Sequence, residues 1–206
     1  MNAGQLFEEG KFKVIIKKLK TSQEPKDVEL VAECYQKLKE WEEAMNCWNS
    51  LIQRFPDNSH YYNYRGVCKF NLRFKHAIQD FNKAIELDPA NAYHYSCRAY
   101  IKDKTGDTEG AIEDYSTALE LDPEDAITLN NLGLAEQKLG YTQRARERFK
   151  YSDDLLGIKS LDSREDVKAI ENTSPNTKST IWRELKLMLT SKEGFKQFLK
   201  DAGWKK

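Results

Sequence analysis

The 206-residue sequence lacks several things that would narrow its function at once. It has no net charge, with 33 basic against 33 acidic side chains, so nothing in its overall balance favours nucleic acid or an acidic membrane surface as a partner. Its longest strongly apolar run is Val14-Ile15-Ile16, far short of the roughly 18 to 20 residues of a membrane span or the ~7 to 15 of a signal-peptide core. The expectation is therefore a cytoplasmic protein. Only five prolines and ten glycines interrupt it, which argues against a loop-rich or disordered chain. The four cysteines, Cys34, Cys47, Cys68 and Cys97, form no Cys-x-x-Cys pair. Structural zinc is not expected on that spacing, and the thiols read as small buried hydrophobes.

Catalytic signatures are missing too. The sequence holds no Gly-x-Ser-x-Gly turn, no Gly-x-x-x-x-Gly-Lys loop and no Gly-x-Gly-x-x-Gly. Its three histidines are His60, His76 and His94; His60 and His94 could face each other, as polar residues or as a metal pair. Acidic neighbours such as Asp153-Asp154 diverge by about 100° on a helix and cannot share a substrate. No enzymatic activity, cofactor or metal is expected.

What is present is a repeat. Ala84-Ile85-Glu86-Leu87-Asp88-Pro89 returns 34 residues later as Ala118-Leu119-Glu120-Leu121-Asp122-Pro123. Ala44, Ala77, Ala111 and Ala145 keep the same frame, each followed after four residues by a ring: Trp48, Phe81, Tyr115 and Phe149. Small residue and ring thus lie one helical turn apart on one face. Pro56, Pro89 and Pro123 mark where three of these helices must have ended, with Gly157 in the fourth.

These residues resemble the tetratricopeptide-repeat family, whose unit is a helix-turn-helix pair of about 34 residues. The resemblance implies an all-α solenoid of stacked pairs, right-handed, with first helices lining a concave groove and second helices forming the back. Four repeats are expected, at about 24–57, 58–90, 91–124 and 125–157. Leu132-Gly133, Leu139-Gly140, Ala145 and Phe149 fill the fourth; Gly106-Asp107 turns the third; the turn of the second, around Leu72-Arg73-Phe74, is expected to be one residue short. Cys34 and Cys68 fall at small-residue slots of first helices. Residues 1–23 read as a degenerate capping helix pair turning at Glu9-Gly10-Lys11. The lysines Lys11, Lys13, Lys17, Lys18 and Lys20 make one side of it basic, either a solvated surface or a face for an acidic partner. A linker with a short helix is expected at 158–178, then an amphipathic tail at 179–206 that caps the stack, fills the groove or joins another molecule.

The resemblance implies recognition of a peptide or helix from another protein, or of the chain's own tail. Projection of the first helices gives the groove candidates His60, Asn63, Tyr64, Val67, Tyr93, Cys97, Tyr100, Asn130, Asn131 and Leu134, with the alternative that several of the rings pack between helices. Amides can pair with an extended backbone, and tyrosines supply apolar area with a polar tip. The cochaperone branch of the family grips carboxylate-ended chaperone tails with lysine, asparagine and arginine. Here the corresponding places hold Glu29, Glu33, Tyr64, Tyr93 and Cys97, so that partner is disfavoured. The other functional class left open is a homo-oligomeric or adaptor subunit joined through the aromatic tail.

Overall fold

A computed structural model of the chain describes residues 2–157; the expected linker and tail, and the oligomeric reading that depends on them, lie outside the described residues. Among those residues the structure is all-α, without a strand. The chain divides into two units, Met1–Leu121 and Asp122–Lys206. The first contains α1 (Ala3–Glu8), α2 (Phe12–Leu19), α3 (Pro25–Lys37), α4 (Trp41–Arg54), α5 (Ser59–Asn71), α6 (Ala77–Leu87), α7 (Ala92–Thr105) and α8 (Thr108–Leu121). The second contains α9 (Ala126–Lys138) and α10 (Thr142–Leu156).

Each of the five pairs turns in the same way. Gly10, Lys39, Arg73, Gly106 and Gly140 all have positive φ, between 61° and 101°. In each turn the next amide donates to the carbonyl five residues back: Lys11 to Leu6, Glu40 to Tyr35, Phe74 to Lys69, Asp107 to Lys102 and Tyr141 to Glu136, all at 2.9 Å. This left-handed closure satisfies carbonyls that the end of a helix leaves open. The turn of the second repeat is therefore not short. Its missing residue falls after Arg73, where it trims the start of α6: Ala77 is the first residue of that helix, whereas the matching Ala44 lies three residues inside α4.

Second helices stop two residues before Pro56, Pro89 and Pro123, at Arg54, Leu87 and Leu121, because a residue preceding proline is forced out of helical geometry. First helices then restart on a side-chain cap. Asn58, Asn91 and Asp125 accept from the amides of His60, Tyr93 and Ile127.

The repeat's small and large slots meet in the core. Ala44, Ala77, Ala111 and Ala145 are buried, as are Trp48, Phe81 and Tyr115. A Cβ added to Gly66 would lie 2.8 Å from the Phe81 ring, and one added to Gly133 would lie 2.6 Å from Phe149. Glycine is what lets the ring of the second helix close onto the backbone of the first. Cys34 and Cys68 are wholly buried, and burial pushes both thiols up to about 11. They are packing atoms rather than nucleophiles at neutral pH.

Candidate peptide-binding groove

In the first unit, side chains join successive first helices directly. The Tyr61 hydroxyl of α5 donates to Glu29 of α3, and burial first, then that carboxylate, pushes the phenol up to about 12. Gln36 of α3 donates to the Tyr64 carbonyl at 3.3 Å. Between α5 and α7, Asn63 Nδ2 donates to Cys97 Sγ at 3.4 Å, and His94 Nε2 lies 3.0 Å from Ser59 Oγ. Burial, then the neighbouring His60, holds the His94 ring down to about 4, so it is neutral at pH 7.

These links sort the expected groove residues. Asn63 is wholly buried and occupied with Cys97, which is itself half-buried. Its Oδ1 has no partner. Tyr64 is half-buried and stacks on the Trp48 ring at 4.9 Å, where it packs against the core of the first two repeats. Val67 is half-buried. By contrast His60 is exposed and meets His94 edge-on at 5.1 Å between centroids. Tyr93 and Tyr100 are 47% and 37% exposed. Seven residues apart, they share one side of α7, and the Lys104 ammonium sits 5.1 Å over the Tyr100 ring. In the second unit, Asn130 and Asn131 of α9 are half-buried, the former with Nδ2 unpartnered, and Leu134 is exposed.

A second set of polar residues binds first helices to second helices. Arg65 of α5 holds Asp80 of α6 with two bonds of 2.8 Å and donates to Asn49 of α4 at 3.1 Å. Lys69 lies 3.0 Å from the same carboxylate. One repeat on, Arg98 grips Asp114 at 2.8 and 2.7 Å and donates to Asn82 at 2.9 Å, with Lys102 at 3.0 Å. The hydrogen bonds to Asp80 and Asp114 raise both guanidinium pKa values further. Sequence reading passed over this network, although a signal was there: Arg65 and Arg98, Lys69 and Lys102, Asn49 and Asn82 each recur at 33 residues, and Asp80 and Asp114 at 34.

The metal pair does not extend to a site, since no group of three or more His, Cys, Asp or Glu side chains is gathered among the described residues. No helix among them is long and apolar enough to cross a membrane.

Models of the tetratricopeptide repeat match residues 30–58, 69–91, 81–113 and 103–140. The chain is a tetratricopeptide-repeat protein. Among solved structures, a thermophilic tetratricopeptide-repeat protein of Thermus thermophilus is similar over 82% of this chain and 95% of its own, with a TM-score of 0.66 and 18% identity. MamA from Desulfovibrio magneticus RS-1 is similar over 78% of this chain and 93% of its own, with a TM-score of 0.63 and 19% identity. The first tetratricopeptide domain of Spaghetti (RPAP3), bound to the HSP90 peptide SRMEEVD, is 28% identical, with a TM-score of 0.53 over 58% of this chain and 95% of that one. No curated protein sequence matches the chain. The fold class is the all-α tetratricopeptide-repeat solenoid, a fold of protein-interaction scaffolds.

Proposed function

We propose that this tetratricopeptide-repeat protein is a non-catalytic interaction module that holds a peptide or helix of another protein against the first helices of its Met1–Leu121 unit. The observation that carries this reading is the side of α7 bearing Tyr93 and Tyr100, both well exposed, with exposed His60 of α5 nearby through His94. Exposed rings in a helical scaffold supply contact area at low entropic cost. Asn63 and Tyr64 support the surface from behind, the former by its link to Cys97 and the latter by its stacking on Trp48.

The chemistry of the unit supports the absence of catalysis. Ser59 and His94 form a serine–histidine contact, but His94 has no exposed surface and its Nδ1 meets no acid to orient it. The carboxylate clamp of the cochaperone branch is not carried over, because the corresponding places hold Glu29, Glu33, Tyr64, Tyr93 and Cys97 where cations would be needed. All four cysteines are free thiols, which supports a reducing compartment such as the cytoplasm.

Selection from a displayed random-peptide library on the full chain tests the groove. Peptides enriched on the native protein should lose most of their binding to a Tyr93→Ser/Tyr100→Ser variant with an unchanged melting curve. Equal enrichment on both proteins would reject this surface.

A further inference from the structure

The first unit carries a second recessed surface, built from residues outside the groove candidates. It is a pocket of about 300 Å³ between α2 and the turn from α3 to α4. Lys13, Lys17 and Lys20 stand along its α2 side, Ile16 and Leu38 contribute apolar surface, and Tyr35 and Glu40 complete the lining, Glu40 as its single carboxylate. The three lysines are exposed, and none makes an ion pair with another described residue, unlike Lys11, which pairs with Glu9.

We infer that this pocket binds an acidic segment of a partner protein, carboxylates spaced along an extended chain with one apolar side chain among them. Lysines at i, i+4 and i+7 share a side of the helix and run for roughly 10 Å along its axis. Residues on one side of an extended peptide recur about every 7 Å, so two carboxylates four residues apart lie roughly 14 Å from each other, within reach of the long side chains at the two ends of the row, and leave one side chain between them on the same side. The apolar surface of Ile16 and Leu38 takes the intervening aliphatic group, which a simple phosphate would leave unused. A membrane surface fits less well. Phe12, Ile15 and Leu19 of α2 pack against Leu6 and Cys34, which leaves Val14 as the one large apolar side chain of that helix well exposed to solvent, too little apolar surface to insert between lipids.

The test is fluorescence anisotropy on the full chain with a labelled polyglutamate peptide carrying one central leucine, beside the same peptide with alanine there, a polylysine peptide, and phosphatidylserine vesicles. The leucine peptide should bind more tightly than the alanine one, with affinity falling as salt rises, and polylysine should not bind. Lys13→Gln/Lys17→Gln/Lys20→Gln should weaken binding by roughly tenfold or more. Lys11→Gln/Lys18→Gln/Lys75→Gln, which removes equal charge away from the pocket, should change it by less than about twofold. Equal weakening by both triples, indifference to the leucine, or binding to vesicles without binding to the peptide would each overturn the proposal.

Discussion

The third repeat and the fourth solve one structural problem with opposite charge. In the third, Asp114 is the buried anion on the second helix, gripped from the first helix by Arg98 and Lys102. Thirty-four residues on, the lysine slot holds Glu136 and the aspartate slot holds Arg148, so the anion now sits on the first helix and the cation on the second. The exchange is not symmetrical in quality. Asp114 accepts two well-aligned guanidinium bonds from a side chain that is itself mostly covered. Glu136 has no exposed surface, lies 2.9 Å from Arg144 and 3.7 Å from Arg148, and makes a hydrogen bond to neither. The difference comes from the slot of Arg98, which holds Leu132 in the next repeat: the bidentate fork is lost and only the outer cations remain. A charge-pair slot can thus keep its place in a repeat while losing most of its contribution to stability.

The largest test replaces each anion with an apolar residue of similar size. Asp114→Leu leaves Arg98 and Lys102 together without a carboxylate in a mostly covered place and should lower stability by about 3 kcal/mol in urea titration. Glu136→Met removes a poorly paired buried charge, while Arg144 and Arg148 turn to water, and should be neutral or stabilising by ~1 kcal/mol. Similar losses in both would erase the distinction.

Acid should separate the same two repeats. The third residue of α7 is His94, whereas α9 has Thr128 in that slot, bonded to its own cap Asp125. The folded protein keeps His94 neutral down to about 4, the effect of burial and of His60 outweighing that of nearby Asp88, while the unfolded chain takes up the proton near its ordinary 6.5. The unfolded state therefore binds more protons between these values. Stability falls as pH drops from about 6.5 to 4, by up to about 3 kcal/mol. His94→Thr, which copies the fourth repeat, should remove that part of the loss seen between urea melts at about pH 7 and about pH 4.5. A loss of the same size in the variant would mean that His94 does not drive it.

Packing should behave alike in the second and fourth repeats, which sharpens the contrast by showing what they share. Gly66→Ala and Gly133→Ala each press a methyl into a ring, on Phe81 and Phe149, and should each cost about 1 to 2 kcal/mol despite alanine's better helix propensity. A thermal melt raised by either would show that the ring yields.

The smallest effect concerns the turns. Lys39 and Arg73 hold the left-handed conformation that Gly106 and Gly140 hold later in the chain. Lys39→Gly and Arg73→Gly should stabilise slightly, by about 0.5 to 1 kcal/mol each, and Gly106→Ala and Gly140→Ala should destabilise by a similar amount, both read from thermal melts. An opposite sign at Arg73 would mean that its side chain contributes more than the backbone strain removes.

The frame was legible because it rests on local rules. Alanines paired with rings, prolines after second helices and glycines in turns each state a steric requirement within a few residues, and the helices Trp41–Arg54, Thr108–Leu121 and Thr142–Leu156 obey them. The sequence places the deletion of the second repeat in its turn because two turns close on Lys39 and Arg73 in place of glycine; the structure has it at the start of α6. The burial of the groove candidates is less legible: one projection yields Tyr93 and Tyr100, which are exposed on α7, together with Asn63 and Tyr64, which are held inward by Cys97 and Trp48.

By itself, then, the sequence determined the repeat, its register and its helix pairs, since helix propensity, capping and small-residue slots act within one unit of about 34 residues. Tertiary structure alone decided which side of each first helix faces solvent, which anion meets which cation, and where α2 leaves three lysines beside the apolar surface of Ile16 and Leu38. Those outcomes depend on side chains from neighbouring helices, and a single repeat carries no record of what its neighbour will cover.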